Sequence, residues 1–456
     1  MKGLYFVEPV VALYSFACFL IYPLVSQYVY RRMWQDLTNT TYPARDNASS
    51  CMLNTNQSSH EKVQRAASLF SLYNELFSMV PSLIVTLLLV AYSDHRGRKI
   101  SIVLPLVGSL VYTSSFLAIS FFELNIYLLI VANFASSLFG GVGTLLGGCF
   151  SYIADLCSDG KQKTLRMAGV DMVLGLLSGV ASISTGYFLR AFGFNWPFFT
   201  AFLCHAANLL YVIVLLEETW KSPDLQEMRP PLQKLVTGVY RLFALASRRR
   251  NTVLILLLLI FFTYSFPNIG GLALVTLYEL NEPLCWSEIL IGYGSALSTL
   301  VFLTSFIGVF ILSRCLPNVA IVFVGLLSVM SGLIMTAFAR TTLVMFLVRV
   351  PMLLAIMPAP VLRSMMSKIV SKSEQGALFA CVACLENLSS NVAFAVFNSL
   401  YAATVVWFPG FSFLLAGALC LVPVALLGMV AFLGPDEAGE AEALIAGAEA
   451  GDAPSI

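Results

Sequence analysis

The chain has 456 residues, of which 58% are hydrophobic and 11% charged, and its formal net charge is +1. An average soluble domain is about 25% charged, so a soluble fold of this length could not hide so much apolar surface. Composition therefore excludes a soluble globular protein and points to one embedded in a membrane.

A hydrocarbon core about 30 Å thick needs roughly 20 helical residues at about 1.5 Å each. Apolar runs of that kind lie near 4–30, 68–92, 100–122, 126–153, 166–190 and 196–216, and again near 252–278, 288–313, 319–340, 342–366, 376–406 and 410–433. The first run is too long for the apolar region of a signal peptide and no small-x-small site follows it, so it is expected to stay as the first membrane helix. The expectation is an all-α polytopic membrane protein with 12 transmembrane helices in two six-helix bundles, over 1–216 and 252–434. A polar linker at 217–251 joins them, and a tail follows at 435–456.

Lys and Arg set the orientation. Arg96, Arg98 and Lys99 follow the second span, Lys161, Lys163 and Arg166 the fourth, and Lys368 and Lys372 the tenth. The linker adds Lys221, Arg229, Lys234, Arg241, Arg248, Arg249 and Arg250 on the same side, which is read as cytosolic together with both termini. Arg31, Arg32 and Arg45 on the opposite side are outnumbered. The lumenal loop 31–67 carries three glycosylation acceptors, at Asn39, Asn47 and Asn56, each two residues before Ser or Thr. Cys51 and Cys285 fall in non-cytosolic loops, where an oxidising lumen would pair them; the alternative is two free thiols. Cys381 and Cys384 form a C-x-x-C within the eleventh span, read as packing because no companion metal ligands accompany them.

Two six-helix bundles on a polar linker form the architecture of a major facilitator transporter, with a central site between the halves. Asp94-His95-Arg96-Gly97-Arg98-Lys99 resembles that superfamily's D-x-x-G-R-K/R gating core, in the expected loop after the second span, although Val90 stands where its first glycine belongs. Gly97 permits a tight turn, and Asp94 and Arg98 are expected to pair with each other and with neighbouring helix ends. Asp155, closing the fourth span, is read as an interfacial member of the same gate.

Ionisable residues inside a membrane cost a few kcal/mol on insertion scales, so each is a functional candidate. Asp171 lies in the fifth span, with Arg166 five residues earlier; it is read as the proton-coupling acid, the competing reading being an ion pair with Arg166. Arg363 in the tenth span cannot shed its charge. It is positioned to hold an anionic substrate through a bidentate contact, or to pair with an acid on another helix. Glu386 and Glu75 lack a local cation and are read as proton carriers or as polar helix contacts. Arg349 is expected to snorkel to the outer face, and His205 to be packed. Gly140, Gly141, Gly143, Gly147, Gly148, Gly175 and Gly179 serve close helix packing, with no phosphate loop around them. No helix carries H-E-x-x-H or a paired nucleophile and base, so the chain is not read as an enzyme.

Further strings are specific. Ser93-Asp94 with Gly97-Arg98-Lys99, Leu277-Tyr278-Glu279-Leu280 before Pro283-Leu284-Cys285-Trp286, Ile291-Gly292-Tyr293-Gly294-Ser295-Ala296 and Glu374-Gln375-Gly376-Ala377-Leu378-Phe379 together resemble solute carrier family forty-six, that of the proton-coupled folate transporter. Phe6-Val7-Glu8-Pro9, Gln27-Tyr28-Val29-Tyr30-Arg31-Arg32 and Arg349-Val350-Pro351 look closest to its third, lysosomal member. The resemblance places Asp171 where the folate transporter has a proton-coupling glutamate. It ties Asp94, Asp155 and Arg363 to transport, and matches Cys51 with Cys285 to the family's exofacial disulfide. Asn268 stands near where the folate transporter has a histidine, which weakens folate as substrate.

The function implied is proton-coupled export of small polar or anionic organic solutes, such as steroid conjugates and peptide- or nucleotide-like products, from lysosome to cytosol. The alternatives are a plasma-membrane folate-type importer and a non-transporting membrane receptor or scaffold. The candidate substrate contacts are Arg363, Asp171, Tyr278, Tyr293 and Asn268. The proton gradient takes the place of a cofactor, no metal site is expected, and the expected partners are a small-molecule substrate and membrane lipid, with no nucleic-acid polymer. Glu440 with Leu444 and Ile445 fits an acidic dileucine sorting signal for an adaptor complex, consistent with the lysosomal membrane.

Overall fold

Apolar segments with no water at hand must close their backbone hydrogen bonds internally, and the chain is built of helices. The computed structural model describes residues 6–38, 57–157, 160–219, 248–280, 284, 286, 288–371, 374–404 and 407–433. The first half contains α1 (Glu8–Thr38), α2 (Gln57–Arg96), α3 (Ile100–Phe121), α4 (Leu128–Ser137), α5 (Val142–Leu156), α6 (Gly160–Phe192) and α7 (Asn195–Val214). The second contains α8 (Arg248–Leu280), α9 (Glu288–Leu312), α10 (Asn318–Ala337), α11 (Thr342–Leu347), α12 (Pro358–Ile369), α13 (Gln375–Thr404), α14 (Phe411–Leu419) and α15 (Leu421–Leu433). Among the described residues, 11 stretches are long and apolar enough to cross a membrane, and the apolar part of α9, Ala296–Leu312, is a shorter twelfth.

Three of the expected spans are broken. The fourth divides into α4 and α5 around Gly140 and Gly141, poor helix formers. The twelfth divides before Pro423, whose missing N–H would have bonded the carbonyl of Leu419. The tenth becomes α11, a 3-10 turn at Pro351–Leu354, and α12, which starts at Pro358. Hydroxyls on neighbouring helices satisfy the backbone that this break frees. Ser328 Oγ donates to the Pro351 carbonyl at 2.5 Å and accepts from Leu354 N–H at 3.2 Å. Thr304 Oγ1 donates to the Leu353 carbonyl at 2.7 Å, and Ser305 Oγ accepts from Ile356 N–H at 3.3 Å. α1 and α2 also run past the expected span ends, because hydropathy marks where the bilayer stops and not where the helix does. On the extension of α1, Arg32 donates to the Glu123 carbonyl at 3.0 Å.

Each half has its own core. One cluster, around Phe261, Trp286, Leu326 and Phe413, takes only Ala168 from the first half. Two others, around Tyr152 and around Phe116 and Phe198, belong to the first half, with Phe379 and Ala380 added from the second. The halves meet where α6 packs on α9 and α12, and where α13 packs on α2 and α5. At the end of the bundle that carries residues 97–99, Lys163 Nζ donates to Ser367 Oγ at 3.1 Å and the hydroxyls of Thr164 and Ser364 share a hydrogen bond. No comparable packing joins α1 to α8 among the described residues. The hydrogen bonds of Lys163 and Thr164 tie the two halves together at the motif end.

Along the α6–α9 seam, Gly175 lies flat against the Phe302 ring, where a Cβ would overlap ring carbons. Gly175→Ala should lower the melting temperature of the detergent-solubilised protein, at a cost of about 1–3 kcal/mol typical of an overpacked site. Adding Phe302→Leu should recover most of that loss. An unchanged melting temperature in Gly175→Ala would show that the ring has room to turn aside.

Candidate functional site

The convergence of α6, α12 and α13 brings one cation between two acids. Arg363 Nη1 donates to both oxygens of Asp171, at 3.0 and 2.8 Å, and Nη2 to both oxygens of Glu386, at 3.1 and 2.9 Å. Phe150 from α5 covers the guanidinium at 4.4 Å and Phe261 from α8 at 5.3 Å. The side chains are 3%, 14% and 38% exposed for Arg363, Asp171 and Glu386. Glu386 lies mid-helix and points at the interior, so its exposure marks a water-accessible space between the halves. Asp171 and Phe150 belong to the first half and the other members to the second, which makes Arg363–Asp171 an ion pair across the interface of the halves. With both acids ionised the group carries one negative charge in excess, so it has room for one proton.

Arg166 is not the partner of Asp171. Positions five apart on a helix lie about 140° round from each other, and Arg166 instead bonds Glu8 on α1 at 2.9 Å.

A second constellation sits at the motif end. Arg98 is fully buried, with Nε and Nη2 on the Asp155 carboxylate at 2.7 and 3.3 Å and Nη1 on Ser93 Oγ at 3.1 Å. Asp94 ends α2, and its side chain lies outside what the structure describes. The sequence reading missed Glu218. Its carboxylate accepts the backbone N–H groups of Arg98 at 2.7 Å and Lys99 at 3.1 Å, capping α3 from the far side of the half. Gly97 has φ +106°, and a Cβ there would lie 2.5 Å from the Glu218 carboxylate, so the turn and the cap both require glycine. The signal was present as an acid pair immediately after the sixth span, but nothing in the linear order joins it to a loop more than a hundred residues earlier.

The other candidates are not brought together with Arg363. Tyr278 is buried, its hydroxyl donating to the Ala339 carbonyl at 3.0 Å and its ring against Phe413 at 5.3 Å. Tyr293 is exposed near the start of α9. Asn268 is half-buried on α8, one turn beyond Tyr264. Glu75 is exposed on α2 and has no ion-pair partner among the described residues. Arg349 does not snorkel. It is buried against Glu279 at 2.8 Å, because the break of the tenth span turns it inward beside Trp286 and Ser298. His205 is packed edge-on to Tyr14, centroids 5.5 Å apart. Cys51, Cys285, Asn39, Asn47, Asn56, Glu440, Leu444 and Ile445 lie outside the described residues.

Residues 9–314 match the Major Facilitator Superfamily. The lysosomal proton-coupled steroid conjugate and bile acid symporter SLC46A3 of Gallus gallus is 47% identical over 435 residues, 94% of each chain. The chain belongs to solute carrier family forty-six of the major facilitator superfamily. This solute carrier is also 33% identical to the proton-coupled folate transporter of Rattus norvegicus over 433 residues, 94% of this chain and 92% of that one. The crystal structure of the human organic anion transporter MFSD10 shares its fold, with TM-score 0.71 at 17% identity, over 92% of this chain and 97% of that one.

Removing one partner of a buried ion pair costs about 3–5 kcal/mol. Asp155→Asn should therefore depress the melting temperature of the purified carrier steeply. Wild-type stability in that variant would mean that Ser93 and Glu218 suffice to hold the buried Arg98.

Proposed function

We propose that this carrier moves amphipathic organic anions, steroid conjugates and bile acids among them, out of the lysosome together with protons. It is a proton-coupled transporter of the lysosomal membrane. The observation that carries the substrate class is Arg363, a permanent cation between the halves whose two bonded edges both face carboxylates. A carboxylate or sulfate presents the same oxygens.

In this reading the motif end is cytosolic, as are both termini, and the opposite end faces the lumen. Substrate and proton enter the space beside Glu386, the proton discharges one carboxylate, and Asp171 holds it while the halves part at the cytosolic end. A lumen about two pH units more acidic supplies about 2.7 kcal/mol per proton at roughly 1.36 per unit, enough for about a hundredfold gradient. Arg98–Asp155–Glu218 keeps the first half's cytosolic loops rigid through the movement. Cys51 with Cys285, and glycans on Asn39, Asn47 and Asn56, would lie on the lumenal side. Glu440, Leu444 and Ile445 would meet an adaptor complex from the cytosol.

Proteoliposomes loaded with neutral buffer should take up a steroid sulfate faster from acidic medium than from neutral medium, and Asp171→Asn should abolish that stimulation at equal protein level. Acid-stimulated uptake retained by the asparagine variant would remove Asp171 from the coupling. In cells, replacing Leu444 and Ile445 with alanine should move the protein to the surface. Full colocalisation of that variant with lysosomal markers would show that the address lies elsewhere.

A further inference from the structure

The two acids on Arg363 stand in different surroundings, and their difference assigns them different tasks. The guanidinium has five N–H donors. Both Nη groups are engaged, Nε is buried without a partner, and the Phe150 and Phe261 rings lie against the guanidinium. Asp171 is nearly enclosed and reaches Arg363 across the interface of the halves, whereas Glu386 shares its half with Arg363 and is the member open to the interior space. An anion arriving from that space meets the Nη2 edge first, and Glu386 already occupies it.

We infer that Glu386 is the substrate's place-holder: its carboxylate fills the anion site of the empty carrier, and the substrate's anionic group replaces it there. This rests on the reading of the protein as a proton-coupled anion carrier. The exchange balances in charge. One proton forms an O–H bond at Glu386, the carboxyl swings off Nη2, and one substrate oxyanion takes the two hydrogen bonds it leaves, so the site's net charge is unchanged. When the halves part, the proton passes from Glu386 to Asp171, which departs neutral with the first half. Glu386, ionised again, returns to Nη2 and displaces the substrate. One proton accompanies each monoanion.

The charged and titratable groups facing Glu386 are Arg363 on α12, Asp171 on α6 and Tyr264 on α8. The Tyr264 hydroxyl donates to the Ala355 carbonyl at 2.8 Å. From α2 and α5 this stretch of α13 meets Leu83, Gly143, Gly147 and Phe150, none of which titrates. Of the two acids on Arg363, Glu386 is the one that an anion from the interior space must displace.

The test is the KM for a radiolabelled steroid monosulfate in proteoliposomes, measured between pH 5 and 7.5 on the substrate side. Wild type should show a KM that falls at least fivefold toward acid. Glu386→Gln, a carboxyl that is permanently neutral, should show a KM that is low and flat across the range, and Glu386→Asp should restore the slope. A glutamine variant that keeps the wild-type slope, or whose KM at pH 5 is raised, would overturn the inference. Should that variant not fold, wild type in weakly buffered detergent solution decides it: each bound monosulfate should draw one proton from the medium, and binding with no proton uptake would overturn it. Wild-type liposomes that take up no steroid sulfate under any gradient would instead remove the functional reading beneath it.

Discussion

An arginine cannot lose its proton at any pH the cell offers, and Arg363 holds that charge where bulk water is absent. Everything near it answers to this constraint. Isolated, such a charge would cost several kcal/mol. Two carboxylates and two aromatic rings from four other helices converge on it instead. The break of the tenth span is part of the same solution, since a short α12 beginning at Pro358 is free to set its own angle. The hydroxyls of Thr304, Ser305 and Ser328 on α9 and α10 absorb the backbone groups that the break exposes.

The buried charges divide by where their partners sit. Arg98 with Asp155, and Arg349 with Glu279, are pairs within a half, enclosed and reinforced by further hydrogen bonds. They behave as rivets, because breaking either would strand an ion and no movement of the halves requires it. Arg363 with Asp171 crosses between the halves, and at the motif end hydroxyls of Thr164 and Ser364, and Lys163 on the Ser367 hydroxyl, also join them. Among the described residues, an interface that must open in every cycle is thus tied by an ion pair that a proton neutralises and by hydrogen bonds that water replaces at little cost.

Hydropathy and length alone established the helical membrane class and the number of spans, because a bilayer demands about 20 apolar residues per crossing whatever the neighbours are. Asp171, Glu386, Arg363, Arg98 and Asp155 stood out for the same reason, each being an ion in or beside an apolar run. What the linear order could not supply was partnership. Arg166 looked like the cation for Asp171 at five residues' distance, yet helix periodicity turns it to Glu8. Arg349 looked free to snorkel, yet a broken helix aims it at Glu279. Glu218 stood in an acid pair after a span and Phe150 beside glycines, but neither pattern names the arginine or the loop it serves. The sequence by itself determined which residues were costly to bury. Tertiary structure decided how each cost is met, because ion pairing depends on distances of a few ångströms between helices that lie up to two hundred residues apart in the chain.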